Sequence, residues 1–359
     1  MMKAAVITEY GALLEIKQVP IPQPGPNDVL VKLIACGICH SDLHAACGDF
    51  HIKPPLPLIL GHEGVGRIVE FGANVTPERY HLKLGDLIGI QFLQGTCLKC
   101  EFCLDGRETL CNTKVATGVT RSGAFAEYAL MNADFAAKLP DGMDPFKAAP
   151  LYCAGVTMYK ALKVSQARSN DWISIVGVGG SLGIKYAKAM GFRVIGIVAE
   201  KDQATTDLAL EMGADEAIVT SPFLIQSLVY NGPGDQHSDF VKEKTNGGVQ
   251  AAIVAVPLIS AYEQALQSLK PGGCLVLVGI PAEKLSIAVN ECIGKQIRIV
   301  GSLVGTRNDL QEALDMARKH NIECRVQTCQ LEQINEVFDN MKNCRLTGRM
   351  AIDFTTNSK

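Results

Sequence analysis

From about Trp172 onward, short runs of almost purely apolar residues alternate with stretches of helical period, and this alternation limits the fold more than any other feature of the chain. Trp172–Val178, Val194–Val198, Glu216–Val219, Ala251–Val256 and Cys274–Gly279 read as strands, and Leu182–Met190, Thr205–Met212 and Leu258–Lys270 read as the helices between them. Strands without a polar face must be covered on both sides, so the pattern predicts an α/β fold with a doubly wound parallel sheet. Before about Pro150 the texture differs: β-type runs such as Val29–Ala35 and Gly64–Phe71 are separated by Pro- and Gly-rich turns, which predicts an irregular, mostly-β domain. A chain of 359 residues accommodates two domains. The expected division is 1–150 for the first, 151–297 for the sheet domain, and a return of 298–359 to the first. Ile297–Gly301 restarts a strand, Asp309–Lys319 is helical, and the last turn-rich stretch, which ends in Arg349–Phe354, makes the return. The first half of Asn231–Gly248, polar and rich in turn pairs, reads as a surface insertion. Cys274–Gly279 and the segment after it are expected to offer a sheet edge for subunit pairing.

The net charge of -3 and pI near 6.2 give no basic surface for a nucleic acid. The most apolar stretch, Trp172–Ala199, is broken by Lys185, Lys188 and Arg193, so no membrane span is expected. The opening residues MMKAAVITEYG lack the charged, apolar and small-residue succession of a secretory leader, which makes the cytosol the expected location. Thirteen cysteines, an odd number, then argue for thiolate chemistry rather than a disulfide framework.

Four of them form the strongest local signal: Cys97-Leu-Lys-Cys100-Glu-Phe-Cys103, followed by Cys111. Two-residue gaps let thiolates on a tight turn converge on one ion, and four complete a closed tetrahedral zinc shell with no position left for substrate. Such a site is structural and ties down a long loop. An iron–sulfur cluster or a redox pair can use the same spacing. A second set, Cys39, His62, Glu63 and Cys153, is dispersed. Two thiolates, an imidazole and one exchangeable position describe a catalytic zinc that polarises an alcohol or carbonyl oxygen. Spacing alone favours a blander account, in which each cysteine is a small buried residue and the histidine an ordinary hydrogen-bonded group.

The strings around these residues carry more. Gly37-Ile-Cys39-His40-Ser41-Asp42-Leu-His44, Gly61-His62-Glu63-Gly64-Val-Gly66 and Cys153-Ala-Gly155-Val-Thr-Met-Tyr159-Lys160 resemble three separate signatures of the zinc-dependent medium-chain alcohol dehydrogenase family, most nearly its tetrameric yeast and fungal type. The four-cysteine loop falls between the second and third, and the likeness continues through Tyr186-Ala-Lys-Ala-Met-Gly191 and Val304-Gly-Thr-Arg307 to Leu346-Thr-Gly-Arg349. The resemblance implies a GroES-like catalytic domain beside a Rossmann-type sheet, one catalytic and one structural zinc per chain, and a homo-oligomer, dimer or tetramer. It implies that Cys39, His62 and Cys153 hold the catalytic metal, with Glu63 beneath it and Asp42 orienting His62. Ser41 and His44 then resemble a proton relay whose outer end is a histidine, a group that titrates near neutral pH.

Gly177, Gly179 and Gly180 follow an apolar strand and precede a helix, the setting in which backbone N–H groups and a helix N-terminus meet a pyrophosphate. Two departures stand out. Leu182 occupies the place of the third glycine, and the turn is shorter than in the resembling enzymes. Val198 ends the next strand where an acidic residue ordinarily accepts hydrogen bonds from the adenosine ribose. Glu200 can substitute as acceptor, whereas Lys201 suits a 2′-phosphate; the repulsion between Glu200 and such a phosphate favours NAD over NADP. By resemblance His40 meets the pyrophosphate and Arg307 lies near the cofactor phosphates. Phe50 and Phe92 stand where the yeast-type enzymes carry pocket tryptophans, and Ala46 stands where a larger aromatic is common, so the expected pocket admits longer or aromatic primary alcohols and aldehydes. Two other readings remain: a zinc dehydrogenase of a polyol, secondary alcohol or pathway-specific carbonyl, and a catalytically silent dinucleotide-binding protein.

Overall fold

A computed structural model of the chain describes residues 1–50, 53–177, 181–198, 203–219, 236–343, 345–346 and 348–356. They form two compact units, Met1–Val156 with Val304–Lys359, and Thr157–Leu303. The first stretch carries strands β1 (Met2–Ile7), β2 (Glu15–Val19) and β3 (Asp28–Ile38), helix α1 (His40–Cys47), strands β4 (Leu58–Ile59) and β5 (Gly64–Phe71), and helix α2 (Pro77–Tyr80). Strands β6 (Leu87–Ile90) and β7 (Leu93–Gly95), helix α3 (Glu101–Leu104), strands β8 (Val115–Ala116) and β9 (Tyr128–Asn132), and helix α4 (Pro145–Ala148) follow. Helix α5 (Ala154–Ser165) leads into strand β10 (Trp172–Val176), helix α6 (Ser181–Ala189), strand β11 (Arg193–Val198), helix α7 (Gln203–Glu211) and strand β12 (Glu216–Val219). Helix α8 (Gln236–Thr245), strand β13 (Val249–Val254), helix α9 (Ile259–Gln267), strand β14 (Leu269–Leu277), helix α10 (Val289–Lys295) and strand β15 (Arg298–Gly301) complete the alternation. Helix α11 (Arg307–His320), strand β16 (Val326–Cys329), helix α12 (Ile334–Lys342) and strand β17 (Arg349–Asp353) belong to the first unit again.

The alternating unit is one six-stranded sheet in the order β12-β11-β10-β13-β14-β15, parallel throughout. Its central strands are apolar because helices cover both faces: Ile173, Ile175, Val194, Ile195, Ile253, Leu275 and Val276 are all at most 2 % exposed. The order reverses between β10 and β13, which opens a crevice at their carboxyl ends, the place where such sheets bind nucleotides. Gly177 sits there directly after β10 with φ of 101°, and a Cβ on it would come within 2.6 Å of Val256, so only glycine fits. Gly179, Gly180, Glu200 and Lys201 lie outside the described residues. Leu182 is buried in α6 at 1 % exposure and packs into the unit's interior. Val198 closes β11 equally buried.

Two sequence expectations need correction. Cys274–Gly279 is not an edge: β14 begins earlier, at Leu269, and is paired on one side by β13 and on the other by β15, which is the edge strand. An apolar run marks a covered strand and cannot say how many neighbours it has. Within Asn231–Gly248, residues Gln236–Thr245 form α8, while 231–235 lie outside the described residues.

The other unit is built on β16-β17-β3-β5-β6, with β9 also paired to β3. Helices α11 and α12 pack on it through residues at i, i+3, i+4 and i+7: Leu310, Ala313, Leu314 and Ala317 in one, Ile334, Val337, Phe338 and Met341 in the other. The long central strand β3 ends at the segment that carries the first candidate ligand, and its neighbours β5 and β17 bring two more residues of the site to the same place.

Candidate metal centres and active site

Cys39 is the N-cap of α1, and its backbone N–H donates to Asp42 Oδ2 at 3.0 Å. The other oxygen of that carboxylate accepts from Gly61 N–H at 3.1 Å and from His62 Nδ1 at 2.8 Å. One buried carboxylate, 2 % exposed, thus ties the end of β3 to the turn before β5, two segments that are far apart in sequence. Gly61 permits this turn with φ of 92°, where a Cβ would collide with the Phe125 backbone and ring. An ionised carboxylate only accepts, so Nδ1 of His62 carries the proton and Nε2 presents a lone pair. That lone pair faces Cys153 Sγ at 3.2 Å. Cys153 is delivered by a 3-10 turn, Ala149–Tyr152, immediately before α5.

The ligand atoms of Cys39, His62, Glu63 and Cys153 all lie within 4.8 Å of one another. Zinc bound to sulfur at about 2.3 Å and to imidazole at about 2.0 Å sets tetrahedral ligand atoms roughly 3.5 Å apart, so the donor set fits that ion in type and span. The ligand groups divide their protons unevenly, and each must give up the proton on its ligating atom to take up a metal. The hydrogen bond from Cys153 holds the Cys39 thiol well below its ordinary range, with His62 assisting, and the same bond together with burial holds Cys153 well above it. Burial opposes protonation of His62, yet the Asp42 carboxylate outweighs it and raises the imidazole well above its usual value.

Glu63 is fully buried, and burial lifts it to about 7 against the pull of Arg349. Arg349 Nη2 donates to both carboxylate oxygens at 2.5 and 2.6 Å. The approach needs Gly37 on β3, since a Cβ there would fall inside the Glu63 carboxylate. Arg349 begins β17 and closes the string Leu346-Thr-Gly-Arg349, which by itself does not reveal what the guanidinium meets. Its pairing spans 286 residues and becomes visible only once β17 lies against β3. Arg349 Nε is buried and has no hydrogen-bond partner among the described residues.

Cys97, Cys100, Cys103 and Cys111 form a second group, again within 4.8 Å. Sγ of Cys103 is 3.8 Å from that of Cys97 and 3.5 Å from that of Cys100. Those are the separations a tetrahedral zinc–thiolate shell of about 2.3 Å bonds produces. Backbone N–H groups point at the sulfurs: Cys100 N–H donates to Cys97 Sγ at 3.3 Å and Cys97 N–H to Cys111 Sγ at 3.5 Å. The latter lowers Cys111 to about 6, and N–H groups of Lys99 and Cys100 lower Cys97. No described cysteine is in a disulfide.

The remaining candidates are dispersed over the first unit. His40, Ser41 and His44 are on α1, with His44 in its last turn. Phe92 meets the His62 ring edge-on, with centroids 5.9 Å apart at 81°. Phe50 packs partly against the core, and Ala46 is buried beside a small cavity of about 90 Å³ that Leu43, Cys47 and Phe338 also line. Arg307 stands at the N-terminus of α11 with its donors engaged. Nε and Nη2 reach Glu108 at 3.0 and 3.1 Å, Nη1 reaches the Asp134 carbonyl at 3.0 Å, and the guanidinium lies 4.6 Å over the Phe135 ring.

A closed thiolate lobe, an open cysteine–histidine centre and a doubly wound nucleotide-type sheet together define a zinc dehydrogenase architecture. The chain matches the alcohol dehydrogenase GroES-like domain family over residues 25–141 and the zinc-binding dehydrogenase family over residues 177–319. It is 44% identical over 353 residues to an alcohol dehydrogenase of Geobacillus stearothermophilus, covering 98% of each chain. Among solved structures it resembles an alcohol dehydrogenase of Aeropyrum pernix, with TM-score 0.86, 29% identity and 98% and 99% of the two chains covered. It also resembles an acetophenone reductase of Geotrichum candidum solved with NAD, with TM-score 0.83, 28% identity and 99% and 98% covered. The chain belongs to the zinc-type medium-chain alcohol dehydrogenase family. It is an NAD(P)-dependent oxidoreductase of alcohols and carbonyl compounds, acting on small molecules. No helix among the described residues is long and apolar enough to cross a membrane.

Proposed function

We propose that Cys39, His62 and Cys153 hold a catalytic zinc, with Glu63 as an alternative oxygen donor, and that Cys97, Cys100, Cys103 and Cys111 hold a structural one. The convergence of the first three residues from separate segments to within 4.8 Å carries this reading. A zinc held by these residues would supply the Lewis acidity that polarises a substrate oxygen, and a bound nicotinamide would supply or take up the hydride. The protein's own contribution is to hold these groups and to move a proton. Asp42 fixes the His62 tautomer so that Nε2 faces the ligand cluster. Arg349 keeps Glu63 in place in surroundings that exclude water. Ser41 and His44 pass the alcohol proton outward in oxidation and return one in reduction, with His40 beside them on α1 meeting the pyrophosphate.

The substrates proposed are longer or aromatic primary alcohols and their aldehydes. Phenylalanine in place of tryptophan at 50 and 92 leaves room, and Phe92 already borders His62. NAD is the proposed cofactor, with Gly177, Gly179 and Gly180 at the pyrophosphate and Glu200 accepting from the ribose. A homo-oligomer of the tetrameric yeast type is proposed as well, with a second copy seated along β15. Ile280, Val289 and Ile293, 67%, 65% and 72% exposed, give that part of the sheet unit an apolar surface unusual for a free face. The described cysteines are free thiols, which suits a reducing compartment, the cytoplasm.

A panel of ethanol, benzyl and cinnamyl alcohols, with their aldehydes, run with NAD and NADP and followed by reduced-nicotinamide absorbance, tests the reading. The expected result is a higher kcat/KM for the aromatic substrates and for NAD, with two zinc ions per chain by mass spectrometry. A clear preference for ethanol rejects the wide pocket, and one zinc per chain without turnover rejects the metal assignment.

A further inference from the structure

We propose that Asp49 is a positioning residue for the proton relay, holding the His44 ring in the tautomer that accepts a proton at Nε2. The inference rests on the relay reading of Ser41 and His44 and adds a residue to it.

Its basis is the way α1 ends. Gly48 caps the helix in the left-handed region, with φ of 74°, and its N–H donates to Ala45. The next N–H, that of Asp49, donates to the His44 carbonyl at 3.0 Å. The chain therefore doubles back on the last turn of the helix. That reversal brings the Asp49 side chain onto the ring of the same residue: Oδ2 is 2.9 Å from His44 Nδ1. Asp49 thus grips His44 twice, by backbone and by side chain. The geometry needs glycine at 48, because a Cβ there would come within 2.9 Å of the Tyr10 ring packed beneath it. Tyr10 is itself anchored by its hydroxyl to the Pro54 carbonyl, and Lys53 covers its ring at 5.0 Å.

The chemistry follows from what a carboxylate can do. It only accepts, so Nδ1 of a neutral His44 must be the protonated nitrogen, and Nε2 keeps the lone pair. In alcohol oxidation Nε2 takes the relayed proton and then releases it to water, while Nδ1 keeps its own proton, donated to Asp49, throughout. Freed of Asp49, the ring would divide its time between tautomers and rotamers, and the form with Nε2 protonated cannot accept. The arrangement repeats at the outer end of α1 what Asp42 and His62 make near its start, at 2.9 and 2.8 Å. The inner pair is 2–4 % exposed and serves metal binding; the outer one, 35% and 55% exposed, meets water, as a proton exit must. Exposure also keeps the Coulomb attraction weak, so the effect to expect is one of orientation and modest in size.

The test compares the whole enzyme with Asp49→Ala, Asp49→Asn, His44→Gln and the His44→Gln/Asp49→Ala double variant, under substrate saturation and with zinc content and thermal unfolding recorded. The expected result is a kcat for Asp49→Ala lowered about fivefold with KM, zinc and unfolding unchanged. Asp49→Asn, whose amide oxygen still accepts from Nδ1, recovers most of the loss, and the double variant is no slower than His44→Gln. Nitrogen-15 shifts of the neutral His44 ring give a readout apart from turnover, with Nδ1 protonated in the parent and a mixture in Asp49→Ala. An Asp49→Ala enzyme as fast as the parent, a double variant slowed additively, an Asn variant no better than Ala, or an unchanged tautomer overturns the proposal and leaves the relay standing. A His44→Gln enzyme at full rate overturns the relay and this proposal with it.

Discussion

Asp42 spends one carboxylate on three donors, the Cys39 and Gly61 amides and the His62 ring, so its loss should be felt at the metal rather than in the overall fold. Asp42→Asn keeps the size but gives up one accepting oxygen, and it forces an amide N–H group toward an existing donor. We expect kcat/KM to fall by roughly 10–100-fold and zinc to be lost faster to a chelator, measured by steady-state kinetics and metal analysis on the same sample. The clustering of Cys39, His62 and Cys153 was legible in the sequence because the proposed ligation demands particular side chains, which sit in recognisable strings. Arg349 was not, although it touches Glu63, because an arginine can pair with any carboxylate and the choice is made by a strand that returns from 286 residues away. Arg307 shows the same limit. Its expected place near the cofactor phosphates comes from a string, whereas the Glu108 and Asp134 partners of its guanidinium come from the fold.

That pairing is what holds two elements together. Glu108 lies in the four-cysteine loop, between Cys103 and Cys111, and is 4 % exposed; it accepts from the Arg307 side chain and also from the Arg307 backbone N–H at 2.8 Å, at the start of α11. Removing one member of a buried ion pair leaves the other without a partner, which costs about 3–5 kcal/mol, reduced here because Arg307 reaches solvent on one side. Glu108→Ala should therefore lower the unfolding temperature of the zinc-loaded protein by roughly 5–10 °C in a calorimetric scan. An unchanged temperature would mean that the loop is held by its thiolates alone. Helix limits were readable to within a few residues, because apolar period and caps such as Thr306 with Asp309 are local signals. The rank of a strand in its sheet is not local. That Cys274–Gly279 is covered by β15 follows from the pairing of strands and not from its apolar run.

At the scale of the molecule, all the candidate zinc ligands fall in one unit and the glycine turn after β10 in the other. The two metal groups should part company under a chelator. On the proposed assignment the centre at Cys39, His62 and Cys153 would have three firm ligands and would have to admit substrate, whereas the lobe would have four thiolates and no vacancy to offer. Zinc should thus leave in two phases, the first carrying the activity with it and the second accompanied by loss of structure, followed by parallel metal, activity and circular-dichroism measurements. Simultaneous release would contradict the division into catalytic and structural sites. On the outer surface of the sheet unit, Val289→Asp with Ile293→Asp places charge on residues that touch little in one chain. It should reduce the molecular mass in light scattering with the unfolding of the single chain unaffected. The parallel sheet covered on both faces was visible from alternation alone, but no count of apolar residues could say which surface meets another copy.

The contact between Glu63 and Arg349 also has a consequence in time. The lobe draws its four sulfurs from one short stretch, Cys97 to Cys111, and can close around an ion as soon as that stretch has left the ribosome. The other centre would wait on β17, synthesised 286 residues after Glu63, to neutralise that carboxylate. A nascent chain stalled before Arg349 should already carry the first ion firmly and bind the second poorly, so that the enzyme matures one metal at a time, in the order of its genetic text.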